Sequence, residues 1–226
     1  MILYVIRHGS PDYENDSLTE LGIKQAEALG VRMEKIGIDR VFSSPNGRAR
    51  KTAEPTCRRL GLEMKIEDWL SENLNAALAF NDGRREYWYT DEPVENVKNE
   101  ETLSYGDNWY EAPVYVGLED PKRRYEEIMR ESDRLCEELG YKREGKVYRV
   151  LRKNEEKVAV FCHSCTGVTW TAYLLGISPA LFGSCFDYDT TGVTKLDFGD
   201  KEAGEITAPF CGYFSDTSHK YEAKLP

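Results

Sequence analysis

Tyr4-Val5-Ile6-Arg7-His8-Gly9 stands at the head of this chain, and Val158-Ala159-Val160-Phe161-Cys162-His163-Ser164 repeats its plan much later. Each is a short apolar run that reads as a buried strand and closes on a histidine. Only three histidines occur in the 226 residues, so two of them at strand ends is a placement with a cause. Open α/β sheets hold their ligands beyond the carboxyl ends of strands, and both imidazoles are expected there.

The segments between supply the alternation such a sheet needs. Asn15-Asp16-Ser17-Leu18-Thr19-Glu20 carries helix-start chemistry, and Leu21, Ile23, Ala26, Leu29, Met33 and Ile36 recur at helical spacing up to Gly37. Residues 39–44 predict a second strand running into Pro45-Asn46-Gly47. A further helix carries Arg48, Ala49, Thr52, Ala53, Cys57 and Leu60 before Gly61, with Pro55 as a kink or the limit of its first turn. Residues 63–66 predict a third strand. The expected fold is a three-layer α/β/α, doubly wound, mostly parallel sheet, as one domain over residues 1–226.

From about residue 75 to 119 the periodicity is lost in a polar stretch dense in Trp and Tyr. Asp120-Pro121 then starts an amphipathic helix through Tyr125, Ile128, Leu135 and Leu139, and the charged residues 142–156 lead into the strand bearing His163. A large insertion at about 75–156, forming a cap or lid over the site, is the expectation. A helix over about 166–175 follows, and residues 193–198 and 205–210 alternate as a hairpin-like pair would.

A formal net charge of -10 argues against nucleic acid or an anionic membrane as partner. No apolar run of about 18 residues is present to span a bilayer, and a core strand from Ile2 leaves no room for a signal peptide. A cytoplasmic protein is expected, with its six scattered cysteines as reduced thiols. Cys162-His163-Ser164-Cys165 has no second cluster to complete a metal site, and Thr171 stands where a cysteine phosphatase loop needs Arg, so no metal is assigned.

A phosphoryl group needs fixed positive charge and an in-line nucleophile, and Arg grips phosphate bidentately. Arg7, His8, Arg48 and His163 make that set. Together with Leu18-Thr19-Glu20-Leu21-Gly22 and Gln25-Ala26, Ser43-Ser44-Pro45, Ala49, Thr52-Ala53, Leu70-x-Glu72 and Phe214-Ser215-Asp216-Thr217-Ser218-His219, they resemble the histidine phosphatase superfamily (branch 1), of phosphoglycerate-mutase-like fold. The resemblance covers roughly residues 1–75 and 157–220.

The resemblance implies that His8 takes the phosphoryl group and that Arg7, Arg48 and His163 bind its oxygens. Glu72 would be general acid and later base, with Asp12, Glu14 and Asp82 as alternatives for that role. Asn15 and Ser164 are expected to contact the substrate, and His219 to make a structural hydrogen bond. The activity implied is hydrolysis of a small phosphorylated substrate without a cofactor. A phosphoglycerate mutase is the first alternative, although Ser10-Pro11-Asp12-Tyr13-Glu14-Asn15 departs from the mutase pattern after Arg-His-Gly. A phosphate-ester or phosphoprotein binding module of weak turnover is the second. In the insert, Arg84, Arg85, Tyr87, Trp88, Tyr89, Trp109 and Tyr110 would either hold the far end of a substrate, pack a small core, or make a homodimer contact.

Overall fold

A computed structural model describes residues 1–72, 78–81 and 86–226. In chain order its elements begin with β1 (Ile2–Arg7), β2 (Pro11–Asp12), β3 (Ser17–Leu18), α1 (Glu20–Ile36), β4 (Arg40–Ser43), α2 (Gly47–Leu60) and β5 (Met64–Ile66). There follow β6 (Ala79–Asn81), β7 (Glu86–Trp88), α3 (Val94–Val97), α4 (Glu100–Ser104), α5 (Pro121–Glu138), β8 (Tyr141–Glu144) and β9 (Val147–Val150). The chain continues through β10 (Lys157–Cys162), α6 (Ser164–Leu175), α7 (Pro179–Gly183), β11 (Val193–Asp197), β12 (Ile206–Thr207), β13 (Phe210–Asp216) and α8 (Ser218–Glu222).

Six strands form the central sheet in the order β13-β11-β1-β10-β4-β5. β1, β10, β4 and β5 run parallel, and β11 is antiparallel to both its neighbours. Strand alternation divides the apolar side chains into two cores. Leu3, Val5, Phe42, Val158, Val160 and Cys162 face one way, with Ile128 and Leu135 of α5 and Val168, Trp170 and Leu174 of α6. Tyr4, Ile6, Val41, Ala159 and Phe161 face the other way, with Leu29 and Met33 of α1 and Ala53 of α2. Helices on both faces make the three layers expected.

Cap chemistry sets the helix ends. Thr19 accepts the Gly22 N–H at the start of α1, and Gly37, with φ of 75°, closes it through bonds to the Met33 and Glu34 carbonyls. Ile23 falls at helical spacing yet is 53% exposed, so the buried stripe of α1 is narrower than the apolar one. Pro55 is buried inside an α2 that runs unbroken to Leu60.

Two stretches differ from expectation. The charged residues 142–156 contain the β8–β9 hairpin, in which Tyr141, Tyr148 and Val150 are buried among charged neighbours. The partner of β11 is β13, which begins at Phe210, whereas Ile206 and Thr207 pair with β9 instead. β13 is a sheet edge, and its half-exposed residues leave little alternation to read.

Candidate active site

The sheet register brings the two histidines together. Arg7 pairs with Cys162 across parallel β1 and β10, and the next residue on each strand is a histidine. Their ring centroids lie 5.2 Å apart, close to the roughly 4.8 Å spacing of neighbouring strands. β4 flanks β10 on its other side with Ser43 opposite Phe161, so Ser44 comes level with the same ridge. Ser44 Oγ lies 2.8 Å from His163 Nε2.

Both rings are oriented. His8 Nδ1 is 2.7 Å from the Gly9 carbonyl oxygen, which can only accept, so Nδ1 carries the proton and Nε2 keeps its lone pair. Ser44 Oγ also lies 3.0 Å from Asn46 Oδ1. With the hydroxyl proton directed there, His163 Nε2–H donates to Ser44, and the buried His163 Nδ1 has no hydrogen-bond partner among the described residues. Burial holds the His8 imidazole near a pKa of about 4, with Arg7 and Arg48 adding to the effect against the Gly9 bond. His163 is held well below its ordinary value by burial, then by Arg48, His8 and Arg7. Both are neutral at pH 7.

The cations and the carboxyl come from the loops at this end of the sheet. Arg48, in the first turn of α2, is 5% exposed and pairs with Asp16 at 2.7 Å. Its other Nη lies 3.8 Å from Glu72 Oε2. Arg7 donates to the Tyr188 carbonyl, while its buried Nε has no hydrogen-bond partner among the described residues. Glu72 is 8% exposed, its Oε1 accepts the Cys165 N–H at 3.1 Å, and its Oε2 is 3.8 Å from His163 Nδ1. Burial pushes its carboxyl above the usual range, against the pull of Arg48, the Cys165 N–H and Arg7. A buried carboxyl that holds its proton more tightly than usual, beside a neutral imidazole, is a general-acid arrangement.

Arg7, His8, Arg48, Glu72 and His163 thus share one neighbourhood. Asn15 does not join them: it is exposed and donates to Asp12 at 2.8 Å. Ser164 borders the site at the first turn of α6, with its hydroxyl 3.3 Å from Asp187. Glu14 is exposed, and Asp82, Arg84 and Arg85 lie outside the described residues. His219 has the structural bond expected, 2.9 Å from Thr191 Oγ1.

In the insert, Tyr89 and Trp109 are packing residues, stacked at 4.5 Å and fully buried with Tyr115. Tyr87 stacks on Phe80, and Trp88 is partly buried against the same core. Tyr110 lines a crevice of about 490 Å³ with Tyr125, Tyr173 and Arg143, at the far end of α6 from His163.

Asp16, Ser44 and Asn46 are site residues the sequence did not single out. Asp16 takes a left-handed φ of 43°, and its carboxylate accepts both the Gly47 N–H and the Arg48 guanidinium. Burial pushes its pKa up, but these two bonds outweigh that and hold it below the usual carboxylate range. The contact needs glycine at the start of α2, because a Cβ on Gly47 would sit 2.1 Å from the Asp16 carbonyl oxygen. Asn46 Oδ1 accepts from the Ser44 and Ser71 hydroxyls, tying β4 to the Glu72 loop. Polar residues just beyond a strand that abuts a strand-end histidine are the signal that could have found Ser44 and Asn46.

Layer order, sheet topology and the strand-end site define a phosphoglycerate-mutase-like α/β protein. The profile of the histidine phosphatase superfamily (branch 1) matches residues 3–207, and the chain belongs to that family. It is 33% identical over 79 residues to a provisionally named phosphoserine phosphatase 2 of Hydrogenobacter thermophilus, a stretch that is 31% of this chain and 39% of that relative. The structure is similar to that of the phosphoserine phosphatase of Entamoeba histolytica in complex with 3-phosphoglyceric acid. That match has a TM-score of 0.60 at 20% identity, over 96% of this chain and 98% of the other. It is also similar to the alpha-ribazole phosphatase of Shigella flexneri, with a TM-score of 0.56 at 21% identity, over 91% and 96% of the two chains. At these identities the structural likeness is one of fold. Among the described residues no helix is long and apolar enough to cross a membrane.

Proposed function

We propose that this protein is a phosphatase that hydrolyses small phosphomonoesters through a phosphohistidine intermediate on His8. The observation that carries the reading is the bond from His8 Nδ1 to the Gly9 carbonyl, which leaves the Nε2 lone pair available on a neutral ring clustered with His163 and Glu72. A ring fixed in that tautomer attacks without first losing a proton.

In the first step the Nε2 lone pair forms a bond to phosphorus as the ester P–O bond breaks, and the Glu72 carboxyl gives its proton to the departing alkoxide. Arg7 and Arg48 stabilise the charge spreading over the equatorial oxygens. His163 takes onto Nδ1 the proton that the monoanionic ester brings and holds it in a hydrogen bond to the phosphoryl oxygen that gave it up. In the second step the Glu72 carboxylate takes a proton from water, the water oxygen attacks phosphorus, and the N–P bond breaks to free inorganic phosphate and neutral His8. Asp16 positions Arg48 and Ser44 positions His163. Relatives named as phosphatases support hydrolysis over isomerisation.

The residues around Tyr89 and Asp91 border the site and select the alcohol half of the substrate. Tyr89 Oη lies 2.8 Å from Thr169 on α6, and the charge of Asp91 bears on Glu72. Release of phosphate from a panel of monoesters, absent in His8→Ala, is the experiment that tests the function. Undiminished hydrolysis by His8→Ala overturns it.

A further inference from the structure

The three groups at the centre of the site also meet the demands of a different ligand. His8, Glu72 and His163 each offer one ligating atom, all within 4.8 Å of one another, and all three side chains are buried. We propose that this triad binds one divalent ion of zinc's kind, and that the bound ion switches turnover off by capturing the nucleophile. The loss of turnover rests on the phosphatase reading above, whereas the binding does not.

Two features make the triad a ligand set rather than a mere cluster. The first is orientation: His8 Nδ1 is engaged by the Gly9 carbonyl and His163 Nε2 by Ser44, so the lone pairs left over for a ligand are those of His8 Nε2 and His163 Nδ1. Outer bonds of this kind from the second ring nitrogen are how metal-binding histidines are fixed. The Cys165 N–H does the same for Glu72, engaging Oε1 and leaving Oε2 to His163 Nδ1 and the Arg48 guanidinium, each 3.8 Å away. The second is His163 Nδ1, a buried nitrogen with no hydrogen-bond partner among the described residues. It lies 3.8 Å from Glu72 Oε2, and zinc bonds of about 2.0–2.1 Å set tetrahedral ligands roughly 3.4 Å apart, so small side-chain rotations close the site. Two imidazoles and one carboxylate leave a fourth position open.

Charge sets the limit on affinity. Arg7 and Arg48 oppose a cation, but Arg48 is paired with Asp16 and approaches Glu72, so the charges of the site nearly balance once Glu72 is ionised. Nitrogen ligands favour Zn²⁺, Co²⁺ and Ni²⁺ over Mg²⁺. The inhibition moves no electrons between atoms. A lone pair shared with a metal cannot form the bond to phosphorus, and removing the ion restores it.

The test uses the full chain carrying Cys185→Ser, which removes the exposed thiol as a competing ligand. Titrated with Co²⁺ after treatment with a chelator, it should take up one equivalent with the visible absorption of a four-coordinate site, and Zn²⁺ but not Mg²⁺ should displace it. His163→Asn and Glu72→Gln should lose the band. Ser44→Ala, which keeps all three ligands, should bind about 10–100-fold more weakly. Absence of the band in the parent chain overturns the inference, as does a band that survives His163→Asn.

Phosphate release read alongside separates this inference from the phosphatase reading. Hydrolysis that is full after chelation and lost with one equivalent of Zn²⁺ supports both. Hydrolysis that proceeds with the metal bound overturns the switch and leaves the phosphatase standing. Binding with no hydrolysis under any condition overturns the phosphatase and keeps the site.

Discussion

Replacing Glu72 by Gln removes an ionisable proton and little else. Length is kept, and the side-chain oxygen can still accept the Cys165 N–H now held at 3.1 Å. Because burial already favours the uncharged carboxyl, a neutral amide costs little stability there. What is lost is the proton for the leaving group, a contribution of about 10²–10⁴-fold, or about 3–5 kcal/mol at 1.36 kcal/mol per decade. That loss depends on the ester. An alkoxide needs the proton to depart, whereas a nitrophenolate departs without it. Turnover of an alkyl monoester should therefore fall by the full factor. With p-nitrophenyl phosphate the phosphoenzyme should still form at nearly the parent rate, then break down slowly because water has lost its base. Stopped-flow absorbance would record a burst of nitrophenolate followed by a slow steady state. The pH profiles carry the same signature. Activity of the parent should fall in acid as His8 protonates near pH 4, and in alkali as Glu72 loses its proton above the ordinary carboxylate range. The alkaline limb should vanish in Glu72→Gln. A phosphoenzyme that forms as slowly from p-nitrophenyl phosphate as from the alkyl ester, leaving no burst, or no loss on either ester, would refute the assignment.

Acid should weaken the fold through its buried histidines. His8 and His219 each have a pKa of about 4 in place of 6.5, so between those values the unfolded chain binds more protons and stability falls as pH drops. His8 alone should cost about 3 kcal/mol across that window, read as a falling urea midpoint, with His219→Asn showing a shallower fall. A midpoint flat from pH 7 to 4 contradicts this. Gly47→Ala places a Cβ 2.1 Å from the Asp16 carbonyl oxygen and should break the Asp16–Arg48 contact. KM for a phosphomonoester should rise about 10–100-fold, the worth of one charge-assisted bond, while an unchanged KM would remove Asp16 from the account. Trp109→Ala should cost about 3–5 kcal/mol in thermal or urea unfolding, since the ring is fully buried against Tyr89, Tyr115 and Tyr125.

Much of this architecture was legible because its strongest signals are local. An apolar run ending in Arg-His-Gly, a Thr cap with Gly at the far end of α1, and Asp-Pro before α5 each carry their own physical cause. The β8–β9 hairpin was hidden because its buried Tyr141, Tyr148 and Val150 are outnumbered by Lys, Arg and Glu. β13 starts later than the alternation of residues 205–210 suggests, because Phe210 is 73% exposed and the edge strand's other residues are at most half-buried. In the site, chain order located Arg7, His8, Arg48, Glu72 and His163, but not the contacts that orient them. Asp16 meets Arg48 from 32 positions away, and Ser44 meets His163 from 119. Asn15 lies exposed, with its amide bonded to its neighbour Asp12.

The central claim is a bond between His8 Nε2 and phosphorus. Mixing the protein with a phosphomonoester, quenching rapidly in alkali, where phosphohistidine survives, and mapping the phosphorylated peptide by mass spectrometry reads that bond directly. A phosphoryl group on the peptide holding His8, building up further in Glu72→Gln and absent in His8→Ala, is the predicted result. Phosphate released with oxygen transferred from water in one step, and no phosphorylated His8 at any time in either protein, would contradict it.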